Sequence, residues 1–388
     1  MKAFKFFLLL FLFNLGYFNL FADIVINASK MEVDYKNNIF NLSGNVSLNT
    51  KDYFMTTDNL IYKKQEKTVM ANGNIVIEFI KDKRRVNADT MIRTKESLAR
   101  ESTLFTGKPV RLVDFEKERT IEGNLIRIVK NDNKESIFIE GNAVVFDDKL
   151  KINSDKIEYF KSDKFMLMYT NSSIKKDDYI IKTEGIKYLE DDKILIFDKE
   201  TRIDKKDISI VAKRGKYDEK QDVIEADDVT YIKENTKIVS DKLLNLKKDG
   251  NNFYVFKDVK EIKDKNMLGK ANEIEYEEKK NIILMKTDAF IEDKSKDLDI
   301  RSDVIRIDNN EDKVFLIGSV NIRQKDKVIS SSLGYYDKKS NKMVLTGNPV
   351  YKKGNDLTYA QIIILDTSNN NVVMQGEIKG RFDIKKEK

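Results

Sequence analysis

Neither cysteine nor histidine occurs anywhere in the 388 residues, and each absence removes a class of chemistry. Without cysteine there are no disulfides, no thiol nucleophile and no lipidation on sulfur. Without histidine, the commonest general base and metal ligand near neutral pH is missing. Proline is almost absent as well, with only Pro109 and Pro349. Beyond residue 22 no apolar run approaches the roughly 20 residues that a membrane-spanning helix needs, and no stretch there reads as a helix. Charge of one sign is also lacking: 71 Lys and Arg stand against 65 Asp and Glu, interspersed along the chain. Such mixing describes a solvated outer face and not a nucleic-acid footprint. A hydrophobic content of 40%, with 22 Phe and 16 Tyr, argues against disorder.

The chain begins with Lys2 and Lys5, an apolar run from Phe6 to Phe13, and Ala22 before Asp23. This is the layout of a secretory signal peptide, expected over residues 1–22 with cleavage after Ala22 in preference to retention as an anchor. The remainder, 23–388, is expected to form a single elongated exported body.

What is present in abundance is a repeated phrase: a small, usually polar residue, an apolar residue three positions on, and an apolar or aromatic one five positions on. It occurs as Ala28 to Val33, Thr57 to Tyr62, Ser154 to Tyr159, Ala271 to Tyr276 and Ser302 to Ile307. Looser copies start at Ala88, Glu122, Thr183, Ala212, Ser240, Ser331 and Ala360. About a dozen units at a step of roughly 30 residues define a repeat architecture. Between the phrases apolar and polar residues alternate, as in Phe40, Leu42, Gly44, Val46 and Leu48. That is the period of a strand with one buried face. Glycine interrupts these runs, often before asparagine: Gly44-Asn45, Gly73-Asn74, Gly141-Asn142 and Gly347-Asn348. A glycine there marks a bulge or corner.

The small residue marks a second corner. Ile152 and Ile157 lie an odd number of residues apart, as do Ile300 and Ile305, Ile181 and Ile186, and Val86 and Met91. In a flat strand the members of each pair would face opposite ways, so two inward side chains require a bulge or bend between them. Each unit therefore reads as two bent strands, and the expected fold is all-β, with two facing sheets folded at the corners.

Laid side by side, the phrases and the Gly-Asn corners resemble the LptA or OstA (organic solvent tolerance) family of periplasmic lipopolysaccharide-transport proteins. The matching stretches are Arg85 to Met91, Lys151 to Tyr159 and Val344 to Val350, while residues 174 to 289 keep the rhythm but lose most Gly-Asn corners. The resemblance implies an elongated, twisted β-jellyroll whose apolar trough holds acyl chains. It implies lipopolysaccharide or a related glycolipid as cargo, and Lpt-like components of the inner and outer membranes as partners through edge-strand pairing. Head-to-tail self-association is a further implication. No cofactor, metal or nucleic acid is expected.

The inward positions are the candidate lipid-contacting residues: Leu60, Tyr62, Ile75, Ile77, Phe79, Ile157, Tyr159, Ile186, Tyr188, Ile274, Tyr276, Ile305 and Ile307. The same pattern describes a closed core, so a structural, filament-forming envelope protein is the alternative. The corner acids Asp58, Asp89, Asp155, Asp241 and Asp303 read as turn stabilisers, since calcium sites need several oxygens in one loop. The basic run Lys81 to Arg85 reads as a solvated rim. Nothing supports catalysis. N-terminal sequencing of the exported protein is expected to begin at Asp23; a start at Met1 would make the segment an anchor.

Overall fold

The computed structural model describes residues 25–381 apart from 98, 133, 148, 178, 249, 265 and 266. The expected signal peptide lies outside the described residues. None of the described residues is helical, and they form thirty strands, paired antiparallel with their neighbours. The all-β expectation is met.

The chain divides into two compact units, Met1–Asp163 and Lys164–Lys388, built on one plan. In the first, the strands Ile39–Asn49, Tyr53–Lys63, Thr68–Phe79, Arg84–Lys95, Arg100–Asp114, Arg119–Asn131, Lys134–Phe146 and Leu150–Phe160 form a meander, each pairing with the next. In the second, long strands such as Thr236–Lys248, Asn251–Asp264, Met267–Glu277, Ile282–Asp293 and Leu298–Asp308 do the same. Some are split in two: Ile194–Phe197 and Thr201–Lys205 both pair with Tyr179–Leu189, one along each half.

The odd spacing of apolar residues has the expected structural cause. The ladder slips between Ser154 and Lys156, between Asn87 and Thr90, and between Arg301 and Val304. Across those slips both members of each pair face inward: Ile152 and Ile157, Val86 and Met91, and Ile300 and Ile305 are all buried. Each slip reverses the side-chain alternation, which lets a single strand line the interior along both halves.

The two corners prove to be one device shared by adjacent strands. The Thr57 hydroxyl donates to the carbonyls of Asn72 and Gly73 at 3.1 and 3.0 Å, and the Ser302 hydroxyl to those of Ile317 and Gly318, both at 2.9 Å. The small polar residue of one strand thus clips the glycine corner of the next. That corner needs two successive residues in the left-handed region, as at Gly73 (φ +86°) and Asn74 (φ +47°). Glycine and asparagine reach this region at least cost. Where the Gly-Asn signature fades, Thr170-Asn171 and Thr287-Asp288 adopt the same conformation.

Hairpin turns are sealed by aspartates at strand ends. Asp337 accepts from the amides of Lys339 and Ser340, and Asp114 from those of Glu116 and Lys117, the Asx-turn arrangement. Both prolines fall in ladder gaps: Pro109 between the paired residues Thr106 and Val110, Pro349 between Thr346 and Val350.

At Gly318 (φ +73°) an added Cβ would lie 2.3 Å from the Asp303 carboxylate, whereas at Gly354 (φ +59°) it would meet nothing within 4 Å. Gly354→Ala is expected to cost about 1 to 2 kcal/mol, the left-handed penalty alone. Gly318→Ala should cost at least about 1 kcal/mol more, since it adds a steric clash. Urea unfolding of the two variants checks the order.

Candidate functional site

Within each unit the meander folds over so that its two long halves face each other. In the first unit Arg119 lies over the Tyr159 ring, on a strand with which it does not pair, and in the second, aromatic contacts across the interior show the same. Tyr231 lies 5.3 Å from Phe256 and 6.4 Å from Tyr276, and Tyr179 lies 5.4 Å from Tyr217, measured between ring centroids. None of these pairs sits on hydrogen-bonded neighbouring strands, so the contacts span the core.

Of the thirteen candidate residues, Leu60, Ile75, Ile77, Ile157, Tyr159, Ile186, Tyr188, Ile274, Tyr276, Ile305 and Ile307 are each at most 6% exposed. Tyr62 and Phe79 are half-buried, against their cross-strand neighbours Phe40 and Tyr53. Those from Leu60 to Tyr159 line the interior of the first unit, and those from Ile186 to Ile307 that of the second. Each of the buried aliphatic side chains contributes on the order of 1.5 to 3 kcal/mol by leaving water.

Sequence reasoning missed what lies along the open side. Hairpin turns alternate between two long edges, so turns at 190–193, 219–222 and 278–281 lie on one edge and those at 206–207, 234–235 and 294–297 on the other. Where the edges meet, side chains join them. Lys176 pairs with Glu219 at 2.6 Å, and the Tyr179 hydroxyl donates to Asp222 at 2.7 Å. Lys233 donates to Tyr276 at 3.1 Å and Glu278 at 3.3 Å, and Lys296 to Tyr336 at 2.7 Å and Asn341 at 2.8 Å. In the first unit Lys117 donates to Tyr159 at 2.6 Å, and Lys130 pairs with Asp82 at 3.1 Å. The partners lie 40 to 48 residues apart. A repeat of about 30 residues spans two strands, so this separation spans three, and an odd number of strands puts the partners on opposite edges.

Two such contacts are buried among the described residues, one of them from Gln324 to the Thr367 carbonyl at 3.0 Å. In the other, Arg84 donates to Glu135 at 2.6 Å and to Asp114 at 3.2 Å, with its side chain 2% exposed. Burial opposes its charge, but the two carboxylates outweigh that and hold its pKa above the usual arginine value. The Lys81 to Arg85 run is therefore no purely solvated rim, because Arg84 belongs to the closure.

In the second unit a cavity of about 550 Å³ lies along this seam, lined by Lys176, Tyr179, Lys205, Tyr217, Asp222 and Lys247 among others. Burial raises the pKa of Tyr179 and Tyr217, and of Tyr231 and Tyr254 below them, so these phenols remain neutral at physiological pH. Among the described residues no group of three or more carboxylates is placed to hold a metal ion.

These observations define a class: an antiparallel β-repeat protein whose bent strands enclose an apolar interior, closed along one side by polar side chains. A family model described as LptA/(LptD N-terminal domain) LPS transport protein matches residues 25–165, 127–251 and 209–313. Those segments cover well over half of the chain, which belongs to that family. No curated protein matches it. Among solved structures it is similar to LptH, the LptA-homologous periplasmic component of the lipopolysaccharide transport device from Pseudomonas aeruginosa. The identity is 13%, over 45% of this chain and 80% of that one, with a TM-score of 0.14, too slight a likeness to bear on cargo or partners.

Arg84→Met leaves Asp114 and Glu135 facing an apolar side chain. It is expected to destabilise the protein by about 3 kcal/mol or more, the usual cost of breaking a buried pair. Lys30→Met, which removes an exposed partner of Glu32, should change little. Thermal unfolding of the two variants separates these outcomes.

Proposed function

We propose that the protein is a periplasmic carrier or bridge that holds the acyl chains of lipopolysaccharide or a related glycolipid in its apolar interior during transport to the outer membrane. Membership of a lipopolysaccharide-transport family carries this reading, and the nature of the closure supports it. Among the described residues the two edges of each unit are joined by side chains and by no backbone ladder. The halves can part without loss of strand pairing, at the cost of exposed edge contacts worth about 1 kcal/mol each, of the buried Arg84 pair in the first unit and of apolar contacts across the interior. Against that, each methylene taken up from water gains ~0.8 kcal/mol. Uptake of this kind needs no catalytic step.

Strand addition at the chain's two ends is the proposed mode of contact with membrane partners or with further copies. Among the described residues Val25–Asn27 and Lys30–Asp34 pair on one side only, as do Asn371–Gln375 and Lys379–Arg381. Val25, Ile26 and Met31 are exposed at one end and Val373 and Ile378 at the other. Unpaired apolar edges are templates for another strand.

The near-complete burial of the interior also favours a second reading, a structural envelope protein with a closed core. Protein purified from its native envelope is expected to carry a glycolipid detectable by mass spectrometry. A photo-crosslinking residue at Ile305 should label that lipid, and one at the outward Arg306 should not. Lipid-free protein that polymerises end to end and gives no crosslink would replace the carrier with the structural reading.

A further inference from the structure

The cavity in the second unit has a feature that the other edge contacts lack: two cations and two phenols converge on one carboxylate. Asp222 accepts hydrogen bonds from the hydroxyls of Tyr179 at 2.7 Å and Tyr217 at 3.2 Å, while the ammonium groups of Lys247 and Lys205 lie 3.3 and 3.7 Å from it. Lys205 also donates to the Tyr179 hydroxyl. Burial alone would raise the pKa of Asp222, but the bond from Tyr179 and the two lysine charges bring it below the usual aspartate value. The arrangement is an anion site filled by the protein's own carboxylate.

Three further facts describe what else the site fits. Asp222 ends the hairpin turn at 219–222, so it is carried by a short surface segment and not by a ladder. Lys247 is 49% exposed, so an incoming anion reaches it from solvent. The rings of Tyr179 and Tyr217 face each other across the core, with the Tyr231, Tyr254 and Tyr276 cluster in the same unit. The mouth is therefore cationic and hydrogen-bonding, and the touching, buried rings of Tyr179 and Tyr217 close its inner side.

We propose that this cavity is an entry port for a phosphorylated amphiphile, whose phosphate displaces the Asp222 carboxylate from Lys205 and Lys247 and so frees the Tyr179 and Tyr217 hydroxyls, letting the two touching rings part to admit its acyl chains. The proposal rests on the carrier reading above and names the chemical group that starts uptake. A phosphate monoester suits the exchange, because it brings up to two negative charges and three acceptor oxygens where Asp222 offers one charge and two. The aromatic pair on its inner side favours an amphiphile over a free anion. Lys176 stays with Glu219 and takes no part in the exchange.

The test compares binding of a diphosphorylated, acylated disaccharide, its dephosphorylated form and inorganic phosphate to the full chain. The wild type is expected to prefer the phosphorylated lipid by about tenfold, a typical return for charge-assisted contacts, and to bind inorganic phosphate far more weakly. Asp222→Asn removes the internal competitor and should tighten binding of the phosphorylated lipid several-fold while leaving the dephosphorylated one unchanged. Lys205→Met combined with Lys247→Met should erase the preference. Equal binding of both lipids by the wild type would overturn the port and leave the carrier reading intact. Binding of neither lipid would end both. Inorganic phosphate that binds as tightly as the lipid would overturn the assignment to an amphiphile. Should Asp222→Asn fail to fold, the lysine double variant decides alone, and a preference that survives in it refutes the proposal.

Discussion

The structure depends on the ladder slip at each corner, which at Thr57 and Ser302 is accompanied by a clip from the hydroxyl to the glycine corner of the next strand. Without the slip, a strand that buries Ile300 would point Ile305 at solvent. With the slip, both are buried and one strand serves two facing halves. The hydroxyl answers a requirement created by the slip, because a corner with two left-handed residues leaves backbone carbonyls outside the ladder that need donors. Thr57 and Ser302 supply them. Fold and interior both follow from that slip, which recurs along the chain.

A corner of this kind joins the two halves on one side only. The opposite side has to be closed by side chains, and their spacing is dictated by topology. Contacts between opposite edges must span an odd number of strands, which is why lysine and its tyrosine or carboxylate partner recur a repeat and a half apart. Such contacts are individually weak where exposed. Buried contacts differ, as at Gln324 and above all at Arg84, whose burial between Asp114 and Glu135 makes it expensive to break. Closure is therefore uneven, firm at Arg84 and looser where an exposed lysine reaches across.

The all-β class, the corners, the strand period and most inward residues were legible in the sequence, because each is a local pattern with period two or a fixed repeat. Ile157 and Ile305 were placed inside by parity and Ile274 by its position in the repeated phrase, and all three are fully buried. Tyr62 and Phe79 follow the same alternation, yet they lie near strand ends where the interior gives out, and they are only half-buried. The missing Gly-Asn corners were not missing as structure: Thr170-Asn171 and Thr287-Asp288 meet the same backbone demand with other residues. The edge contacts escaped notice because a lysine in a charged turn looks the same whether it faces water or a tyrosine on the opposite edge. Only the separation of 42 residues between Lys117 and Tyr159, or 43 between Lys233 and Tyr276, carries the signal, and it must be sought at one and a half repeats.

The tyrosines give the interior of the second unit a different character from an aliphatic one. Tyr188, Tyr231 and Tyr254 are buried among apolar side chains, so each buries a large ring together with a polar tip that prefers a partner. The Tyr231 hydroxyl is buried without a hydrogen-bond partner, a cost that an all-aliphatic core would not carry. Tyr179 and Tyr276 instead direct their hydroxyls to the closing edge, where Asp222 and Lys233 meet them. A ring that is anchored at its tip and apolar along its body is suited to a boundary between water and hydrocarbon. The placement of Tyr179 on the cavity wall and of Tyr276 at the seam, each with its hydroxyl turned to the closing edge, is what such a boundary requires.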